Sequence, residues 1–162
     1  NVRAPHLKPP ARHGGFGGDG RGVGKEELSD DEQWTRASSE AAALSSGFCR
    51  TPAALHQVVR LCGEGEGRKE TKRVCHVMAM RLDPSAAPAS VYALAAALYL
   101  DRKLDRSSLE RVDVAIDLRR GGGAGWANPP SSDIQSFATE VFRLLTDHCP
   151  ERVGRGAVYP MP

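Results

Sequence analysis

The second half of the chain switches hydrophobic period from segment to segment, and that alternation limits its possible folds more than any other feature. From Arg73 to Met80 the side chains alternate at period two. Val74, His76, Met78 and Met80 fall on one side, and Cys75, Val77 and Ala79 on the other. This pattern predicts a strand, with Asp83-Pro84 marking its exit. A helix is expected from about Ala89 to Leu104 and a second strand from Val112 to Leu118. A glycine-rich loop with Asn128-Pro129-Pro130 follows. Ser132 and Gln135 then form a capping pair. Ile134, Phe137, Ala138, Val141 and Leu145 share one face of the helix behind it. The last strand is expected from Arg155 to Tyr159. Strand, helix, strand, helix, strand in this order predicts an α/β fold with a short parallel sheet and right-handed crossover helices. Ligands of such sheets bind beyond the carboxyl ends of the strands. Here those ends are Met80-Arg81, Asp117 to Arg120 and Tyr159-Pro160.

The first half reads differently. Residues 1–24 form an extended tail with Pro5, Pro9, Pro10 and a cluster of glycines, too poor in apolar side chains to offset its ordering entropy. Arg3, Lys8, Arg12 and Arg21 make it basic, and Phe16 is its one aromatic side chain. It is expected either to stay solvated or to order on an acidic partner or a membrane surface, with these five residues as the candidate contacts. Residues 25–162 are expected to form one domain. Within it, 27–63 is a helical lead-in and 73–162 the β-α-β-α-β core. Ser29 and Glu32 form a capping box. The first helix runs from Asp30 to Ser45, with Trp34, Ala37, Ala41 and Leu44 on one face. A second helix is expected from Thr51-Pro52, with Leu55, Val58, Val59 and Cys62 as its stripe and Gly63 as its stop.

Several function classes drop out. A formal charge of +2 over 162 residues is not the strong basic field of a nucleic-acid binder. The longest apolar run, Val91 to Leu100, is half of the roughly 20 residues a spanning helix needs. Gly15 to Gly20 matches a dinucleotide-binding glycine string, but proline and charge precede it instead of a strand. Cys49, Cys62, Cys75 and Cys149 lack the spacing of a zinc or thioredoxin motif. Free buried thiols are expected, and one disulfide is the alternative. Asp113 and Asp117 share a strand face, which would suit acid–base chemistry. Asp117 is expected instead to accept hydrogen bonds from loop amides or a nearby arginine. No catalytic residue and no metal ligand is assigned.

Two stretches carry a family resemblance. Asp117-Leu118-Arg119-Arg120-Gly121 ends a strand, and Pro150-Glu151-Arg152-Val153-Gly154 leads into the strand that closes on Tyr159-Pro160. From Arg68 onward the chain resembles the CRAL-TRIO family, the lipid-binding domain of phosphatidylinositol transfer proteins. Cys149 stands where the family has Tyr, and Val153 where it has Leu. The resemblance implies a non-enzymatic module that binds lipid or docks at a membrane surface, with no cofactor beyond a bound lipid. It points to Glu151 and Arg152, with Arg119 and Arg120, as headgroup contacts. For Glu151 and Arg152 a helix-end ion pair with Asp147 is the alternative. Gly122 and Gly123 supply none of the hydroxyls common after this strand in phospholipid-binding members. The family continues past the position of Pro162 with a helical gate and a further strand, so an open sheet edge is expected. The alternative function is an accessory scaffold subunit of an organellar membrane complex, photosynthetic or respiratory. Such a subunit would have lost lipid transfer and would dock through its tail and sheet edge. A start at Asn1 fits either a removed targeting segment or a start further upstream. The expected location is an organelle, plastid or mitochondrion, peripheral to a membrane, with the cytoplasm as the alternative.

Overall fold

The structure, a computed structural model, describes residues 28–45, 55–63, 73–104, 111–148 and 151–160. Its elements are α1 (Asp30–Leu44), β1 (Val59–Cys62), β2 (Val74–Met78), α2 (Ala89–Lys103), β3 (Val112–Asp117), α3 (Ser131–His148) and β4 (Val153–Tyr159). The sheet order is β1-β2-β3-β4. β2, β3 and β4 run parallel, and β1 runs antiparallel to β2. The fold is therefore α/β with a mostly parallel sheet, and β3 lies between β2 and β4.

The crossovers β2-α2-β3 and β3-α3-β4 step in the same direction across the sheet. With one handedness, both helices then fall on the same face. α3 packs over Val77, Val114 and Ile116 through Phe137, Val141 and Leu145, around an apolar cavity of about 20 Å³. Cys75, Val77, Val112 and Val114 are buried on this face. α2 is the central helix of the layer and is apolar nearly all round, as a buried helix must be. Val91, Tyr92, Ala93, Ala95, Ala96, Tyr99 and Leu100 are all buried. Its alanines let α1 and α3 approach closely on either side.

α1 starts where its capping box predicts. The Ser29 Oγ accepts from the Glu32 amide at 3.3 Å, and the Glu32 carboxylate accepts from the Ser29 amide at 2.8 Å. Trp34, Ala37 and Ala41 are buried as expected, while Leu44 is 65% exposed. The first carboxylate of the helix, Asp30, sits at the junction of three elements. It accepts from the Tyr99 hydroxyl at 2.5 Å and from Gln57 Nε2 at 2.7 Å. Lys103 Nζ and Arg60 Nε each lie at 3.3 Å. The Tyr99 oxygen in turn accepts from the Leu61 amide of β1 at 3.1 Å. Burial works to raise the Asp30 carboxyl, but the bonds from Tyr99, Gln57 and Lys103 outweigh it and hold it below the usual carboxylate range. Burial and the bond to Asp30 push the Tyr99 phenol up.

Over the described residues 55–62 a strand stands where the second helix of the lead-in was expected; its expected start at Thr51-Pro52 lies outside the described residues. Residues 55–58 are extended, and Val59–Cys62 pairs antiparallel with β2, Val59 opposite Val77 and Leu61 opposite Cys75. The Met78 amide donates to the Val58 carbonyl at 2.8 Å. Leu55, Val58 and Val59 are buried, but Cys62 is exposed. The apolar spacing is shared by a helix stripe and by a strand whose neighbours alternate. Adjacent β-branched valines and a waiting sheet edge decided for the strand. Gly63, at φ 103°, ends it. Other bounds shift slightly. β2 stops at Met78, and Ala79–Arg81 forms one 3₁₀ turn. α3 starts one residue before Ser132, its first turn closed by the Pro130 carbonyl accepting from Ile134 at 3.4 Å.

Tyr99→Phe removes the hydroxyl that joins α2 to α1 and β1 and leaves Asp30 and the Leu61 amide short of a partner. It should lower unfolding free energy by about 1–3 kcal/mol in a denaturant titration.

Candidate functional site

Alternation along the strands puts Arg60, His76, Met78, Asp113, Ala115, Asp117, Ala157 and Tyr159 on the face opposite the helices. No described helix lies across that face; Arg81 reaches its Met78, with Nη1 4.0 Å from the sulfur, and Asp30 and Asp31 reach its Arg60. Most of these side chains are half-buried or exposed. Toward the carboxyl ends of the strands the face carries Met78, Ala115, Ala157 and Tyr159, with Asp117 between Met78 and Tyr159 and His76 beside Ala115. Toward the amino ends it carries Asp113 and Arg155.

Asp117 is the exception to this exposure, at 7%. Arg119 covers it. The Arg119 guanidinium donates through Nε at 2.9 Å and Nη2 at 2.6 Å, one bond to each carboxylate oxygen. The Arg119 backbone amide donates to Oδ1 at 2.9 Å and closes the turn that follows β3. His76 Nε2 lies 3.5 Å from Oδ2. The Arg119 fork outweighs burial and holds the Asp117 carboxyl down to about 2. This is the arginine and loop-amide pairing expected for Asp117. Asp113, two residues back along the same face, accepts from the Arg155 amide at 2.8 Å beside Gly154. The two carboxylates therefore serve separate local bonds.

The loop after β3 is built around Trp126. Its indole lies against Gly121, where an added Cβ would meet the ring at 2.0 Å. Arg81 stacks over the ring at 5.9 Å and donates from Nε to the Gly125 carbonyl at 3.2 Å. Asn128, at φ 48°, clamps the loop. Its amide side chain both accepts from the Gly121 amide and donates to the Gly121 carbonyl, and its own backbone N–H donates to the Met80 carbonyl at 2.9 Å. Nothing in the alternating pattern marks Arg81, Trp126 and Asn128 as a group. The glycines at 121, 123 and 125 were the available signal for a close-packed loop.

The four expected headgroup residues separate into two pairs. Arg119 and Arg120 follow β3 at the carboxyl end, with the Arg119 side chain 72% exposed and Arg120 exposed. Glu151 and Arg152 precede β4 at the amino end, where the Arg152 carbonyl accepts from the Val112 amide. β3 spans six residues, so the pairs lie roughly 20 Å apart. One headgroup meets one pair. Asp147 lies 3.6 Å from Arg143 in the same helix. Cys75 is buried, and burial pushes its thiol up to about 12, while Cys62 is exposed. Cys75 and His76 point to opposite faces, as the strand geometry requires. Arg3, Lys8, Arg12, Phe16 and Arg21, like Cys49 and Cys149, lie outside the described residues. No helix among the described residues is long and apolar enough to cross a membrane.

Gly121→Ala should force the Trp126 ring out and cost about 1–3 kcal/mol of stability. Gly122→Ala, with open space around its added methyl, should melt like the wild type. The Asp117 carboxyl sits below its ordinary value of 3.8. Its stabilising contribution is therefore complete above about pH 4 and lost as pH falls toward about 2. Asp117→Asn should remove that part of the acid-unfolding slope and cost about 1–2 kcal/mol at neutral pH, allowing for the solvent that reaches Arg119.

Set against protein-family models, curated proteins and solved structures, the chain matches none.

Proposed function

We propose that the chain is a non-enzymatic module that takes an anionic lipid at the uncovered face of its sheet, in the manner of the CRAL-TRIO domains its second half resembles. One observation carries this reading: three parallel strands with helices on one face only among the described residues. Parallel sheets are normally covered on both faces, so the second face calls for an occupant. Met78, Ala115, Ala157 and Tyr159, on either side of Asp117 and His76, offer apolar contact to an acyl chain. Just beyond are Arg119 and Arg120; the fork of Arg120 suits a phosphate, since a guanidinium donates two parallel bonds to it, while the fork of Arg119 is held by Asp117 and meets a phosphate only on leaving it. Arg81 is engaged with Trp126 and Gly125 and supports the loop. Glu151 and Arg152, at the far end, are the other place for a headgroup.

A second reading is favoured by a separate observation. Val158 and Tyr159 of the edge strand β4 are 41% and 51% exposed, and Phe142 of α3 is 44% exposed. An apolar edge of this kind suits a scaffold subunit that docks in a membrane complex, its edge strand covered by a partner.

Lipid extraction from the purified chain and vesicle flotation separate the two. On the lipid reading, lipid co-purifies and the chain floats with phosphatidylglycerol vesicles. Arg120→Ala should weaken that binding by about fivefold, near 1 kcal/mol for one basic residue at an anionic surface, with an unchanged melting temperature. Arg152→Ala tests the amino-end position in the same assay. Absence of both co-purifying lipid and vesicle binding would sink the lipid reading.

A further inference from the structure

We propose that Asp117 is a shared counter-ion that couples capture of a phosphodiester anion by Arg119 to proton uptake by His76. The inference rests on the reading of the carboxyl end as a headgroup site and adds its regulation.

The geometry is that of one carboxylate between two cation-forming groups. Arg119 holds it bidentately, and His76 Nε2 stands 3.5 Å from Oδ2 on the neighbouring strand. The carboxylate side chain is 10% exposed and the arginine side chain 72% exposed. The Asp117 end of this pair is fixed in the sheet, and the Arg119 end is free to swing into solvent. The turn does not depend on the guanidinium, because the Arg119 backbone amide keeps its own bond to Oδ1. A guanidinium that leaves for an external phosphodiester strands a largely buried carboxylate without its cation. That is costly, and a replacement cation offsets the cost. His76 is placed to supply one. It takes a proton from water, its side chain being 35% exposed. Nε2–H of the imidazolium then donates to Oδ2. No bond other than this proton transfer is made or broken.

The charges that face His76 agree with the exchange. Arg60 is opposite it on β1, already engaged by Asp30 and Asp31. On β3, Ala115 is level with it, and Asp113 and Asp117 lie one pleat step to either side. From the helical layer, Asp30 and Asp31 of α1 reach this side through Arg60, and Arg155 of β4 lies beyond at Asp113. Arg60 is thus already paired, and Arg119 is the cation that holds Asp117. With Arg119 withdrawn, Asp117 is left negative beside the imidazole, which favours the imidazolium. Linkage then runs both ways: anion binding draws in the proton, and the proton strengthens anion binding by the same factor.

The test uses the full chain with two phosphodiesters whose own charge does not change over the range. They are phosphatidylglycerol in phosphatidylcholine vesicles and soluble glycerophosphoglycerol. Between about pH 8 and about pH 5.5, across the titration of an imidazole, the wild type should bind about tenfold more tightly, within the usual range of coupling. His76→Gln should lose this dependence. Coupling seen with the soluble diester assigns the site to the phosphodiester alone, and coupling seen only with vesicles assigns it to a lipid headgroup. Equal pH dependence in wild type and variant overturns the coupling. Vesicle binding that ignores pH overturns it too, but leaves the lipid reading standing. No binding of either probe removes both. A measurement on the wild type alone covers a variant that does not fold: at a fixed pH near 6.5, adding the probe should move the His76 imidazole NMR signals toward the protonated form. Stationary signals overturn the proposal.

Discussion

The handedness of the strand-helix-strand crossover is the constraint on which the rest of this structure depends. A right-twisted strand feeding a right-handed helix returns to the sheet in one sense only. Strands β2, β3 and β4 are laid down in spatial order, so both crossovers turn the same way and α2 and α3 share a face. The helical layer buries Val77, Val112 and Val114. It leaves His76, Met78, Ala115 and Tyr159 on the opposite face without a described helix over them. Which face stays open follows from chain connectivity before any side chain is considered.

The layer is closed by a polar interaction. Asp30 opens α1 and also receives Tyr99 from α2 and Gln57 from the segment entering β1. Withdrawing a carboxylate part-way from water is tolerated only when its bonds are filled, and here several donors converge on it. Asp30 therefore does two jobs at once. As an acid in the first turn it favours the helix dipole, and as an acceptor it fixes where that helix docks. Trp34 meets Tyr99 edge to face at 6.0 Å just inside the knot, so the polar and apolar contacts of α1 reinforce each other.

At the carboxyl end the same economy recurs with Asp117. Its carboxylate closes a backbone turn, pairs with a solvent-facing arginine and neighbours an imidazole. The loop beyond it depends on Gly121, because the Trp126 ring takes the space a side chain would need. Arg81 stacks on that ring, so Trp126 anchors the loop and holds the arginine in place.

Much of this was legible in the residues. Period-two alternation marked β2 and β3, and Ser29 with Glu32 marked the start of α1. The stripe through Ile134, Phe137, Val141 and Leu145 marked α3. These signals are local: each needs only the side-chain geometry of its own element. The expected loop-amide and arginine partners of Asp117 were also local, two residues away. What the sequence could not decide is what depends on distant neighbours. Leu55, Val58, Val59 and Cys62 fit a helix stripe, and only the open edge of β2 made Val59–Cys62 a strand. Arg119 and Arg152 stand near matching motifs in one dimension, yet the length of β3 places them at opposite ends of the sheet. Tyr99 with Asp30, Arg81 with Trp126 and His76 with Asp117 are separated by 69, 45 and 41 positions along the chain. No short-range pattern reports such pairs, because the free energy that joins them appears only when the tertiary fold brings them into contact.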